Sequence, residues 1–123
     1  MKIVSTNNAP GAIGPYSQAV IAGGMVYTSG QIAIDPATGN MVEGGVKEQT
    51  EQVCKNVKAL LEASGTSIEK VVKTTCFLAD MADFAVFNEI YAGYFTGKPA
   101  RSCVAAKTLP KGALVEVDTV CLP

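Results

Sequence analysis

The segment from Val46 to Ala63 constrains the fold most. Val46, Val53, Cys54, Val57, Leu60 and Leu61 recur near i, i+7, i+8, i+11, i+14 and i+15, which lines them along one stripe of a helix. Glu48 and Glu51 come early and Lys55 and Lys58 late, as the helix dipole favours. Gly44-Gly45 precede the segment and Ser64-Gly65 follow it, so the predicted helix runs from about Val46 to Ala63 and stops where Gly suits the position after the cap. Around it lie strand patterns. Ala19–Ala22 and Met25–Thr28 are apolar runs separated by Gly23-Gly24, a dipeptide suited to a tight hairpin. Asp35-Pro36-Ala37-Thr38-Gly39-Asn40 is a dense cluster of turn residues.

Val71–Leu78 alternates and is rich in Val, Thr and Phe, which predicts a strand. Asp80 stands at an N-cap position ahead of Phe84, Phe87, Tyr91, Tyr94 and Phe95 at helical spacing. A second helix is therefore expected from about Met81 to Phe95, ended by Thr96-Gly97-Lys98-Pro99. Ala100–Ala106 and Leu114–Leu122 follow as strands, joined by a loop containing Leu109-Pro110-Lys111-Gly112. The order strand, strand, helix, strand, helix, strand, strand predicts an α+β fold, with both helices on one face of a mixed sheet.

Composition sharpens this. The 123 residues fit a single domain, residues 1–123. Hydrophobic residues make up 48%, which excludes intrinsic disorder. Only 17% are charged, against about 25% in ordinary soluble domains. So small a monomer should expose more charge, and the helix-free sheet face offers a place for self-association. The net charge is −1 without a basic run, which argues against a nucleic-acid partner. The chain contains no His, which removes imidazole bases, Ser-His or Cys-His pairs and His-containing metal sites together. Cys54, Cys76, Cys103 and Cys121 form no C-x-x-C pair, so no metal site is expected. The Met1-Lys2-Ile3-Val4 start lacks the apolar core of a signal peptide, and no apolar stretch is long enough to span a bilayer. The expectation is a cytoplasmic protein with free thiols and no membrane partner.

Four clusters carry functional groups. Gly14-Pro15-Tyr16-Ser17-Gln18 presents a phenol, a hydroxyl and an amide in a row; the alternative is a Tyr that plugs its own turn. Ser29-Gly30-Gln31 ends a strand with a Gly that lets a ligand approach backbone N–H groups, or simply forms a bulge. In Pro99-Ala100-Arg101-Ser102-Cys103, alternation puts Arg101 and Cys103 on one face. Arg101 is the only arginine, and its planar fork can hold a carboxylate through two parallel hydrogen bonds as lysine cannot. Glu116 and Asp118 share one face of an otherwise apolar strand; such carboxylates are either used chemically or serve as edge charges. Cys103 has no evident base to ionise it and reads as a small hydrophobe. The aromatic stripe of the second helix reads as core, with no basic residue interleaved.

Gly14-Pro15-Tyr16-Ser17-Gln18-Ala19-Val20, Ser29-Gly30-Gln31-Ile32, Phe87-Asn88 with Tyr91 and Tyr94-Phe95, and Pro99-Ala100-Arg101-Ser102 through Leu109-Pro110-Lys111-Gly112-Ala113-Leu114-Val115-Glu116 together resemble the signature of the RidA family, formerly YjgF. The resemblance implies a chorismate-mutase-like fold, a homotrimer with clefts between subunits, and no cofactor. It implies hydrolysis of 2-imino acids (2-iminobutanoate, 2-iminopropanoate) or their enamine tautomers to 2-keto acids and ammonia. Arg101 then matches the carboxylate-binding arginine and Glu116 the water-handling glutamate. The backbone at Gly30 and Cys103, with Tyr16, Ser29 and Asn88, matches the rest of the pocket. An imine is already electrophilic, so its hydrolysis needs only an oriented water, a group to move its proton and a clamp on the carboxylate. The competing expectation is a non-catalytic trimer that binds small carboxylates or acts as an interaction protein. RNA cleavage, assigned to some members, fits poorly with the charge balance and the missing His. Chorismate mutase chemistry would ask one Arg to hold two carboxylates.

Overall fold

The computed structural model describes residues 1–123. Its strands are β1 (Lys2–Val4), β2 (Ala19–Ala22), β3 (Met25–Thr28), β4 (Val71–Leu78), β5 (Ala100–Ala105) and β6 (Val115–Cys121); its helices are α1 (Val46–Ala63) and α2 (Phe84–Tyr94). Gly23 and Gly24 adopt φ 58° and 75°, positive values that are cheap without a Cβ and that turn β2 tightly onto β3. The six strands form one sheet in the order β1-β2-β3-β6-β4-β5. Only β4 and β5 run parallel, and α2 lies in the crossover that such a pair requires.

Both helices cover the same face. Val53, Cys54, Val57 and Leu61 of α1 and Phe87 and Tyr91 of α2 join Cys76, Leu78, Val115, Val117 and Cys121 of the central strands in one buried cluster. The stripe read from the sequence is thus the buried side of α1. Alternation leaves Phe77, Glu116 and Asp118 on the opposite, helix-free face, along with Tyr27 and Val104, which are exposed.

Several expectations shift. The edge strand β1 went unpredicted; its three residues pair with β2 through Lys2↔Ile21, Ile3↔Val20 and Val4↔Ala19. The second helix begins as a 3-10 turn at Met81–Asp83 and is α-helical only from Phe84 to Tyr94. Asp80 does cap that turn, its Oδ1 accepting the Ala82 N–H at 2.9 Å. The last strands end one residue inside the expected limits, at Ala105, Val115 and Cys121. Neither helix is long and apolar enough to cross a membrane.

Candidate functional site

The residues singled out from the sequence fall into two groups on opposite faces of the sheet. Arg101 pairs in register with Thr74, and Glu116 with Phe77. Positions 74 and 77 of one regular strand point to opposite sides. Within one chain, Arg101 and Glu116 therefore do not meet.

Arg101 lies on the helix side. Its Nη1 donates to Asn88 Oδ1 at 2.7 Å, and its guanidinium carbon lies 5.4 Å from the Phe84 ring centroid and 4.9 Å from that of Tyr91. Tyr91 is in turn fixed by a 2.7 Å hydrogen bond between its hydroxyl and that of Thr74, and it stacks on Phe95 with centroids 4.3 Å apart. The aromatic stripe of α2 is therefore more than core, which corrects the sequence reading: Phe84 and Tyr91 form a cation–π seat that holds the fork in place. Asn88 and Arg101 line a cavity of about 480 Å³ whose wall also includes Lys98 and Pro99. Cys103 follows on the same face, paired with Cys76. Burial raises the Cys103 thiol pKa and Arg101 opposes the rise, so the thiol stays protonated near neutrality. Cys54 and Cys76 are pushed up to about 12, chiefly by burial.

Tyr16, Ser29, Gly30 and Glu116 line a second cavity, also about 480 Å³. The two cavities share no lining residue. At Gly30 the glutamate carboxyl lies directly over the backbone: an added Cβ would fall 2.8 Å from Glu116 Cδ, so any side chain here would push the carboxyl aside. Desolvation by burial, then the neighbouring Asp118, raises the Glu116 carboxyl pKa. Asp118 is raised too, by burial, with hydrogen bonding from Thr75 working against it. Ser29 Oγ donates to the Ser17 carbonyl at 2.6 Å, so its proton is committed within the protein. Tyr16 is half exposed, its hydroxyl accepting a 3.4 Å bond from the Ile13 N–H.

The walls of this second cavity are held by amides, Gln18 among those singled out from the sequence and two on α1 that the sequence reading passed over. Gln18 Nε2 donates to the carbonyls of Thr6, Ala9 and Pro10, while its Oε1 accepts from the Thr6 N–H. Those bonds clasp the loop that leads to Tyr16. From below, Asn56 Nδ2 donates to the Ile32 and Ile34 carbonyls at 3.0 and 2.9 Å, and Gln49 Oε1 accepts the Leu114 N–H at 2.9 Å. Gln49 and Asn56 are both buried on α1. Amides at these positions of an apolar stripe were the available signal, since a buried amide must find partners.

A family model described as Endoribonuclease L-PSP matches residues 6–122. A RutC family protein of Pyrococcus horikoshii is 51% identical over 120 residues, covering 97% of this chain and 95% of the relative. A human protein named 2-iminobutanoate/2-iminopropanoate deaminase is 48% identical over 122 residues, covering 98% and 89%. The crystal structure of E. coli TdcF with bound serine superposes with a TM-score of 0.94 at 42% identity, covering 100% of this chain and 99% of that one.

Proposed function

This chain belongs to the endoribonuclease L-PSP family, the YjgF/RidA family, and from that premise we propose that it hydrolyses 2-imino acids and their enamine tautomers to 2-keto acids and ammonia. The observation that carries this reading is the seat of Arg101. The only arginine of the chain is held by Asn88 and two aromatic rings, its hydrogen bond going to a neutral amide oxygen. A fork held in this way is prepared for a planar carboxylate. Glu116, with its raised pKa, supplies the proton-moving group. Gly30 brings backbone close to it, and the carbonyl and N–H of Cys103 extend the polar edge on the Arg101 side.

The substrates are 2-iminobutanoate and 2-iminopropanoate, the imines that arise from four- and three-carbon amino acids. In support, the human relative bears that activity in its name, and the E. coli neighbour was crystallised with serine, a small amino acid. Because the two half-sites lie on opposite faces, a complete site needs a second copy; the RidA resemblance implies a homotrimer, in which Arg101 of one copy meets Glu116 of the next. No cofactor is needed, since water attacks a carbon that is already electrophilic.

RNA cleavage, despite the family description, finds no histidine and no basic run on which to work in a chain of net charge −1. A carboxylate binder without turnover would use the same Arg101 seat, and the bound serine of the E. coli structure favours keeping that reading in the test. The decisive measurement is ammonia release from freshly generated 2-iminobutanoate. Acceleration over the buffer rate supports the hydrolase; binding of 2-ketobutyrate with no acceleration assigns the binder.

A further inference from the structure

Two residues other than glycine have positive φ, Lys98 at 51° and Lys111 at 56°, a conformation that strains a long side chain and persists where the surroundings hold it. Each lines one of the two cavities. Their electrostatic settings differ. Lys111 shares its cavity with the Glu116 carboxyl. Lys98 shares its cavity with Arg101, Asn88, Thr96 and the rings of Tyr91 and Phe95, and no carboxylate lines that wall. The backbone of Lys98 is held firmly: its N–H donates to the Phe95 carbonyl at 3.2 Å, Phe95 is itself buried against Tyr91, and Pro99 fixes the next φ. At Gly97, just before it, an added Cβ would fall 2.6 Å from the Glu69 carbonyl oxygen, ahead of β4. A backbone atom cannot swing aside, so the turn has one place to sit. Two cations of different kinds, a fixed fork and a flexible point charge, thus line one cavity of about 480 Å³, inside the range of roughly 300–1,000 Å³ usual for small-molecule sites. In a chain of net charge −1 this is a local excess of positive charge, and a monoanion answers only one of the two cations.

We propose that Lys98 is a specificity-determining residue that seats a second carboxylate, so that the site takes the imines of acidic amino acids, 2-imino dicarboxylates of four or five carbons. The inference rests on the imine-hydrolase reading above and names a wider substrate class for it. Arg101 takes the C1 carboxylate through its planar fork. The Lys98 ammonium, a point charge on a flexible stem, suits a carboxylate whose position varies with chain length. The two residues are three positions apart in the chain, so their backbones are separated by at most about 11 Å, a span that both side chains shorten toward one small molecule. The reacting end is unchanged. The water oxygen bonds to C2 and becomes the keto oxygen, the C–N bond breaks, and both water hydrogens end on the nitrogen, which leaves as ammonia. The second carboxylate takes no part in making or breaking bonds; it sets which imine stays bound.

The test is calorimetric titration of 2-ketoglutarate against 2-ketovalerate, which has the same five carbons and one carboxylate fewer. Lys98 is exposed, so the preference of the parent for 2-ketoglutarate should be about threefold to fivefold, the scale of an exposed ion pair. Lys98→Met, which keeps the stem and removes the charge, should bring the ratio of the two affinities close to one, and Lys98→Arg should keep most of it. Lys107→Met removes a charge from a lysine that lines neither cavity and should keep the ratio. In turnover, Lys98→Met should raise KM for freshly generated 2-iminosuccinate relative to KM for 2-iminobutanoate by the same factor, with kcat within about twofold. A parent without preference for 2-ketoglutarate, a ratio unchanged in Lys98→Met, or an equal fall in Lys107→Met overturns the proposal. If Lys98→Met fails to fold, Lys98→Asn answers in its place, since Asn accepts positive φ. A parent that hydrolyses 2-iminobutanoate but shows no such preference removes this proposal alone. A parent that hydrolyses neither imine removes the hydrolase reading, and the binding ratio still decides whether Lys98 seats a carboxylate.

Discussion

Arg101 and Glu116 sit in surroundings that should let their substitution separate binding from turnover. Charge-assisted bidentate bonds are worth about 1.5–3 kcal/mol or more, so Arg101→Ala should lower kcat/KM at least about a hundredfold. Arg101→Lys should recover little, since a point charge cannot use the seat between Phe84, Tyr91 and Asn88. Glu116→Gln should still bind 2-ketobutyrate but lose about 10²–10⁴-fold in kcat. Titration of 2-ketobutyrate into each variant, with imine hydrolysis measured alongside, checks both assignments. Cys103→Ala should keep most activity in the same assay, because the Cys103 thiol pKa is raised and the imine needs no sulfur nucleophile. Glu116 and Asp118 also set a pH dependence of stability. Their pKa values lie above the ordinary 4.5 and 3.8, so the folded state binds protons more readily than the unfolded chain. The stability this gives is complete below those ordinary values and is lost as pH rises through the elevated ones. Thermal unfolding across pH should therefore show Glu116→Gln gaining on the parent toward neutrality, and depending less on pH.

At the scale of elements, α2 and the turn at Gly30 make contrasting predictions. Phe87 is fully buried, with its ring centroid 5.4 Å from that of Tyr91. Phe87→Ala should cost about 3–5 kcal/mol in chemical denaturation and weaken keto-acid binding with it, because α2 seats Arg101. Gly30→Ala should leave the unfolding midpoint near the parent's, since the atoms it meets belong to a side chain that can swing aside. It should nonetheless slow turnover about tenfold or more by displacing the carboxylate. Much of this architecture was legible because it is local. The α1 stripe buries Val53, Cys54, Val57, Leu60 and Leu61 as its period required, and the Gly23-Gly24 hairpin pairs as its turn chemistry required. Strand β1 was not legible, because three residues gain strand geometry only from the β2 edge they join. Arg101 and Glu116 stood out by chemistry, but that they face apart depends on β4 pairing with both β5 and β6, a long-range register that alternation within one strand cannot reveal. The cation–π seat on α2 was missed for the same reason: Phe84 and Arg101 lie 17 positions apart in the chain and meet only through the crossover.

At the scale of the whole molecule, the helix-free sheet face and the sparse charge belong together. Light scattering at micromolar protein should return three times the monomer mass of 12.8 kDa; a monomer mass would overturn the trimer. Subunit mixing goes further. Arg101→Ala and Glu116→Gln chains, each inactive alone, should regain activity when unfolded together and refolded, because an interface joining an intact Arg101 to an intact Glu116 then reappears. Random assembly of equal amounts gives about a quarter of the parental rate per cleft. Restoration would fail if one chain supplied both residues. The opposite-face placement of Arg101 and Glu116 also changes how such an enzyme responds to dilution. If Arg101 and Glu116 act together as proposed, a lone chain holds only half of each reaction centre, and specific activity should fall with the third-order law of trimer dissociation rather than stay constant per milligram. A newly made chain would then be chemically silent until it has met another copy, and catalytic power would rise more steeply than protein concentration.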